Sequence, residues 1–132
     1  MERNPMLFTP PSWLHISADS YRRLLNRTAV TVTKRAKKRG ATYRVREAME
    51  AIDEAYHRCN GTDPIDGLPL DGRHLKGIRS PTVYPTDNDK IASFQIMSVQ
   101  TKESKGSMNL EDFIDHCRAV AAKADASSTV WP

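Results

Sequence analysis

Apolar residues recur at helical spacing in three stretches of the chain. In ADSYRRLLNRTAVTVTKRAKKRG, Tyr21, Leu24, Leu25 and Thr28 follow a 3.6-residue repeat that Val32 and Ala36 continue. Ser17 stands just ahead of the repeat as an N-cap, and Gly40 follows as a C-terminal stop. The β-branched run TAVTVT weakens helix propensity without ending the helix. The pattern predicts a helix from Ser17 to Arg39. A second helix, Arg46 to Cys59, places Ala48, Ala51, Ile52, Ala55, Tyr56 and Cys59 on or near one face, and Asn60-Gly61 ends it. A third, Asn109 to Ala122, takes Asn109 as its cap. Its expected buried stripe is Leu110, Phe113, Ile114, Cys117 and Val120.

The segment between the second and third helices has a different texture. TDPIDGLPLDGRHLKGIRSPTVYPTDND is dense in glycine and proline and predicts loops with brief strands. Asp71-Gly72 carries the strongest local turn signature, so IDGLPL and DGRHLKGI are expected to pair as a hairpin about it. Ile91 to Val99 fits either a strand or a helix start, because periodicity does not separate the two over so short a run. ATYRV predicts a short extended piece between the first two helices. Residues 1–16, with Pro10-Pro11, predict an irregular arm anchored by Phe8, Trp13, Leu14 and Ile16. The expectation is an α+β fold: an arm at 1–16, a single domain at 17–122 and a tail at 123–132.

Length and composition narrow the class. A chain of 132 residues suits one domain. A hydrophobic share of 39% and a mean hydropathy of -0.59 suit a modest core. No stretch approaches the roughly 20 apolar residues of a bilayer span. The N-terminal MERNPMLFTPPSW lacks a basic region followed by an apolar run, and Cys59 and Cys117 form no CxxC pair. A reduced, cytoplasmic chain is expected.

Charge changes the picture more. Ser17 to Arg46 holds ten basic residues against one acid, Asp19, whereas Glu47 to Pro132 holds nine against fourteen. Lys34, Arg35, Lys37, Lys38, Arg39, Arg44 and Arg46 occur without an acid between them. Such a concentration suits phosphate contacts, which give salt-sensitive binding with little base choice. Arg22, Arg23 and Arg27 extend the patch if the first helix is continuous. The competing reading is a solvated, solubilising surface.

The order of AKKRGATYRV, DPIDGLPL, SPTVYPTD, SFQIMSVQTKESKG and MNLEDF resembles the phage-associated and bacterial HNH (His-Me finger) endonuclease-like family over about residues 17 to 120. The resemblance implies a ββα-type core between a basic N-terminal helix, a second helix and a C-terminal helix. It also implies what is missing. Asp63 and Asp66 stand where the family has a turn cysteine and threonine. Tyr84 replaces the first acidic or histidine residue of the site, Pro85 replaces a basic one, and Asp87 keeps the second acid. Ser93 and Lys102 fall near the helical asparagines, while Lys105 and Gly106 retain the Lys-Gly turn.

Hydrolysis by a metal ion needs converging ligands and a base. Asp63, Asp66, Asp71, Asp87 and Asp89 offer carboxylates for loosely held magnesium, although acids in such loops commonly form turns. His57, Cys59, His74 and Cys117 (or His116) have the elements for zinc without the spacing. His74 is the best-placed base. The expectation is therefore a degenerate HNH-like protein that binds DNA or another nucleic acid. No catalytic residue, metal ligand or cofactor is assigned, and no membrane partner is expected. A protein-binding inhibitor or accessory subunit is the first alternative, with Phe94, Met97, Met108 and Trp131 as apolar contacts. An active metal-dependent endonuclease is the second.

Overall fold

A computed structural model describes residues 8–86 and 91–126 of the chain. It shows an α+β fold with four helices and a two-stranded antiparallel sheet: α1 (Ala18–Lys37), α2 (Val45–Cys59), β1 (Pro81–Pro85), β2 (Phe94–Ser98), α3 (Val99–Lys105) and α4 (Leu110–Ala126). The chain divides into two compact units, Met1–Lys102 and Glu103–Pro132, with the boundary inside α3.

In the first unit α1 packs on α2, and α2 on β2. The cap of α1 is the one its sequence predicts: the Ser17 hydroxyl accepts the Ser20 N–H at 3.1 Å. α1 is continuous, and it closes two residues before Arg39. Lys38 is its C-cap, and Gly40 follows at φ 93°, a backbone conformation that costs glycine least. Asn60, at φ 50°, closes α2 in the left-handed region.

The buried stripe of α1 is rotated from the expected one. Tyr21, Leu25, Ala29, Thr33 and Ala36 are buried, whereas Leu24, Thr28 and Val32 are only half-buried. Both sets obey i, i+4 spacing. The repeat alone does not say which of two adjacent stripes meets α2. On α2 the core includes Met49 and a carboxylate, Asp53, whose Oδ1 accepts the Tyr21 hydroxyl at 2.7 Å. Phe8 and Leu14 of the arm are buried, and the Trp13 indole donates to the Tyr56 carbonyl at 3.0 Å.

Between α1 and α2 the ATYRV piece is non-helical through Arg44, which is extended at φ -99° and ψ 163°. α2 begins one residue earlier than expected, at Val45, so Arg44 is its N-cap and Arg46 its second residue. The hairpin expected about Asp71-Gly72 is absent. The Asp71 carboxylate accepts the N–H groups of Arg73 and His74, forming a side-chain turn that competes with strand pairing. A Cβ at Gly72 would lie 1.9 Å from the Trp13 carbonyl oxygen, so this glycine is required by the arm's close approach.

The strand pair lies further on, with Val83 opposite Ile96 and Pro85 opposite Phe94. Ile91 to Val99 holds both predicted alternatives, since β2 ends at Ser98 and α3 starts at Val99. Phe94 and Met97 are buried and serve the interior, not an exposed contact surface; Trp131 lies outside the described residues.

In the second unit Asn109 caps α4, its Oδ1 accepting the Asp112 N–H at 2.8 Å. The predicted stripe does not form a core. No residue of α4 is buried; Phe113 and Ile114 are half-buried, Cys117 and Val120 exposed. Helical period fixes which residues share a face, not whether a surface covers it. Among the described residues no helix is long and apolar enough to cross a membrane.

Candidate nucleic-acid interface

The basic residues gather where α1 ends and α2 begins. Lys34, Arg35, Lys37, Lys38, Arg39 and Arg44 are exposed, and Arg46 is half-buried. Lys34, Arg35 and Lys37 occupy the last turn of α1, whose carbonyl end favours positive charge. Arg39 reaches back to the Arg35 carbonyl at 3.3 Å. Arg44 donates its backbone N–H to Glu47 Oε1 at 3.2 Å, and Arg46 pairs with Glu50 at 3.3 Å. Arg46 is thus partly neutralised. Among the described residues, Lys34, Arg35, Lys37 and Lys38 make no ion pair with a carboxylate.

Beside this patch runs a cleft of about 390 Å³. One wall is the second stripe of α1: Leu24, Arg27, Thr28, Thr31, Val32 and Arg35. The opposite wall is β1, through Pro81, Thr82 and Val83, with Tyr56 from α2 and Lys102 from α3 completing it. No lining residue is acidic. Thr28, Thr31 and Val32, three of the β-branched residues that weaken α1 as a helix sequence, are part of this wall.

Lys102 owes its position to a polar network that begins at Asp63. That carboxylate is fully buried. Oδ1 accepts the Ile65 N–H at 2.8 Å, while Oδ2 accepts the Ser98 N–H at 3.0 Å and the Thr101 hydroxyl at 2.6 Å. Ser98 Oγ in turn accepts the Thr101 N–H at 3.0 Å, capping the first turn of α3. The residue next to Thr101 is Lys102.

Arg79 ties the same loop down. Its guanidinium meets both oxygens of Asp66, at 2.7 and 3.3 Å, and also reaches the carbonyls of Leu68 and Pro69, the Ser98 hydroxyl and Gln100. The fork geometry of arginine makes this possible. The Arg79 hydrogen bonds hold the Asp66 carboxyl below the usual carboxylate range.

The described acids Asp63, Asp66 and Asp71 serve structure, while the zinc-type candidates His116 and Cys117 are exposed on α4. Asp63 and Asp66 bind donors of their own fold, and the Arg73 and His74 N–H groups hold the Asp71 carboxyl below its ordinary range. Asp87 and Asp89 lie outside the described residues. His74 is largely exposed, its Nδ1 3.3 Å from Asp71 Oδ2. His57 Nε2 lies 2.9 Å from the Thr9 carbonyl. Burial pushes the Cys59 thiol up, away from the thiolate that binds metal. Among the described residues no three of His, Cys, Asp and Glu gather as metal ligands.

Sequence reasoning found the patch and named Arg27 as its extension on a continuous α1, which the structure has. Arg22, also named, is paired with Asp19. The cleft was missed, although the spacing of Leu24, Arg27, Thr28, Thr31, Val32 and Arg35 carried a signal: basic and small polar residues share one stripe. No family model matches this chain, and no curated protein or solved structure is significantly similar to it.

Proposed function

We propose that this chain is a non-catalytic, HNH-like nucleic-acid-binding protein that contacts the DNA backbone through its basic N-terminal region. One observation carries the reading: Lys34, Arg35, Lys37 and Lys38 are exposed together and lack carboxylate partners among the described residues. Unpartnered cations on one surface release counterions when they meet phosphates. The succession of β1, β2 and α3 supports the HNH-like part, since a strand pair followed directly by a helix is the order that the resemblance implies. Tyr84, Ser93 and Lys102 in place of site residues support the non-catalytic part.

Electrophoretic titration of random-sequence duplex at about 50 and 200 mM salt tests it, because phosphate-driven affinity falls steeply over that range. Retention that weakens sharply with salt is expected. Weak, salt-insensitive retention would transfer the assignment to a protein-binding inhibitor or accessory subunit.

A further inference from the structure

Five of the described arginines are paired with an acid: Arg22 with Asp19, Arg46 with Glu50, Arg58 with Glu54, Arg79 with Asp66 and Arg118 with Asp115. Arg27, Arg35 and Lys102 differ. They make no such pair among the described residues, and all three line one concave space without an acid in its walls. A cleft with cations of one sign and low-dielectric walls focuses its field on an incoming anion.

The spacing selects the kind of anion. Arg27 and Arg35 lie on one face of α1, eight residues and so about 12 Å apart along the axis. Cations spaced along a helix in this way match the successive charges of a linear polyanion. The size selects further. A cleft of about 390 Å³ has the scale of one nucleotide unit. Its half-buried Leu24 and Val32 and the buried Val83 give a sugar or base an apolar surface, while Thr82 offers a hydroxyl. The Thr31 hydroxyl donates to the Arg27 carbonyl at 3.1 Å and is left as an acceptor. A positively charged groove that tracks the backbone is one half of the usual single-strand solution, base stacking on aromatic faces being the other.

We propose that the cleft between α1 and β1 seats one strand of single-stranded nucleic acid, with Arg27 and Arg35 on one wall and Lys102 on the other holding its phosphates. This rests on the nucleic-acid reading above and deepens it. Arg35 belongs to both the cleft and the patch, so a strand leaving the cleft passes onto Lys34 and Lys38.

The test compares fluorescence anisotropy of a short labelled oligothymidine and of a duplex, each at two salt concentrations. The double variant Arg27→Gln/Lys102→Gln is expected to bind the single strand roughly tenfold more weakly, with its salt slope reduced by about 1.4 for two lost phosphate contacts. Duplex affinity, carried by the patch, should change less than about twofold. The charge-retaining Arg27→Lys/Lys102→Arg should restore single-strand binding. Circular dichroism verifies folding of each variant. Unchanged single-strand affinity in the folded double variant overturns the cleft proposal, as does an equal loss on both ligands. If Lys34→Ala/Lys38→Ala alone weakens binding, the nucleic-acid reading stands and the cleft proposal falls. If the wild-type protein binds neither ligand, both fall.

Discussion

Asp63 is a carboxylate with no exposure that satisfies three donors, and its side chain joins the 63–66 loop to the β2–α3 junction. Asp63→Ala would strand the buried Ser98 N–H and Thr101 hydroxyl, at about 1–3 kcal/mol for each unsatisfied group. Chemical denaturation should report a loss of at least about 2 kcal/mol; a smaller loss would show that these donors find other partners. Asp66 makes a pH prediction. Its folded pKa is lowered, first by hydrogen bonds from Arg79. The stability it contributes is therefore fully present above the unfolded carboxylate value of about 3.9 and is lost as pH falls through the folded value. In Arg79→Met the Asp66 carboxyl resonance should titrate at higher pH than in the wild-type protein; an unmoved titration would mean that Arg79 does not set it. Sequence made the local residues legible. Ser17 and Asn109 cap donors three positions on. Asp63 was opaque because its partners Ser98 and Thr101 lie 35 and 38 positions away.

At the scale of elements, α1 carries two jobs on adjacent stripes. Tyr21, Leu25, Ala29 and Ala36 bury against the body, while Leu24, Arg27, Thr28, Thr31, Val32 and Arg35 line the cleft. Period and caps made the helix legible, but the stripe that faces the core depends on where α2 and β1 lie, which no local pattern encodes. The same limit explains α4, whose stripe and cap are real and whose residues are nonetheless unburied. The hairpin was misplaced because an Asp-Gly pair supports a side-chain turn as readily as a strand reversal. Beyond its last turn α1 presents Lys38 and Arg39 ahead of Gly40. Replacing both with alanine should weaken binding to unrelated sequences alike and lower the salt slope by about 1–2. Circular dichroism should be preserved, since surface changes of this kind shift stability by less than about 0.5 kcal/mol. Unchanged affinity and slope in the folded variant would make this end of α1 a solvated surface.

Across the whole molecule, charge and site chemistry point the same way. The basic excess falls between Ser17 and Arg46, and the acids of the remainder, where they are described, are largely engaged in turns, caps and ion pairs. Metal-assisted phosphodiester hydrolysis requires ligands that converge on one cation and a base beside the attacking water. The resemblance would place those groups near Tyr84, Ser93 and Lys102, and the ammonium of Lys102 repels a divalent ion instead of binding it. The cation suits a phosphate in the adjoining cleft better than it suits a metal. Purified protein incubated with supercoiled and linear DNA in magnesium, manganese or zinc is therefore expected to retain the DNA without cutting it. Protein-dependent turnover that disappears in Asp87→Ala would reverse the assignment, since the one acid kept by the resemblance would then be serving catalysis. Turnover that survives Asp87→Ala would point to a contaminating nuclease, and the binding measured in parallel would still stand.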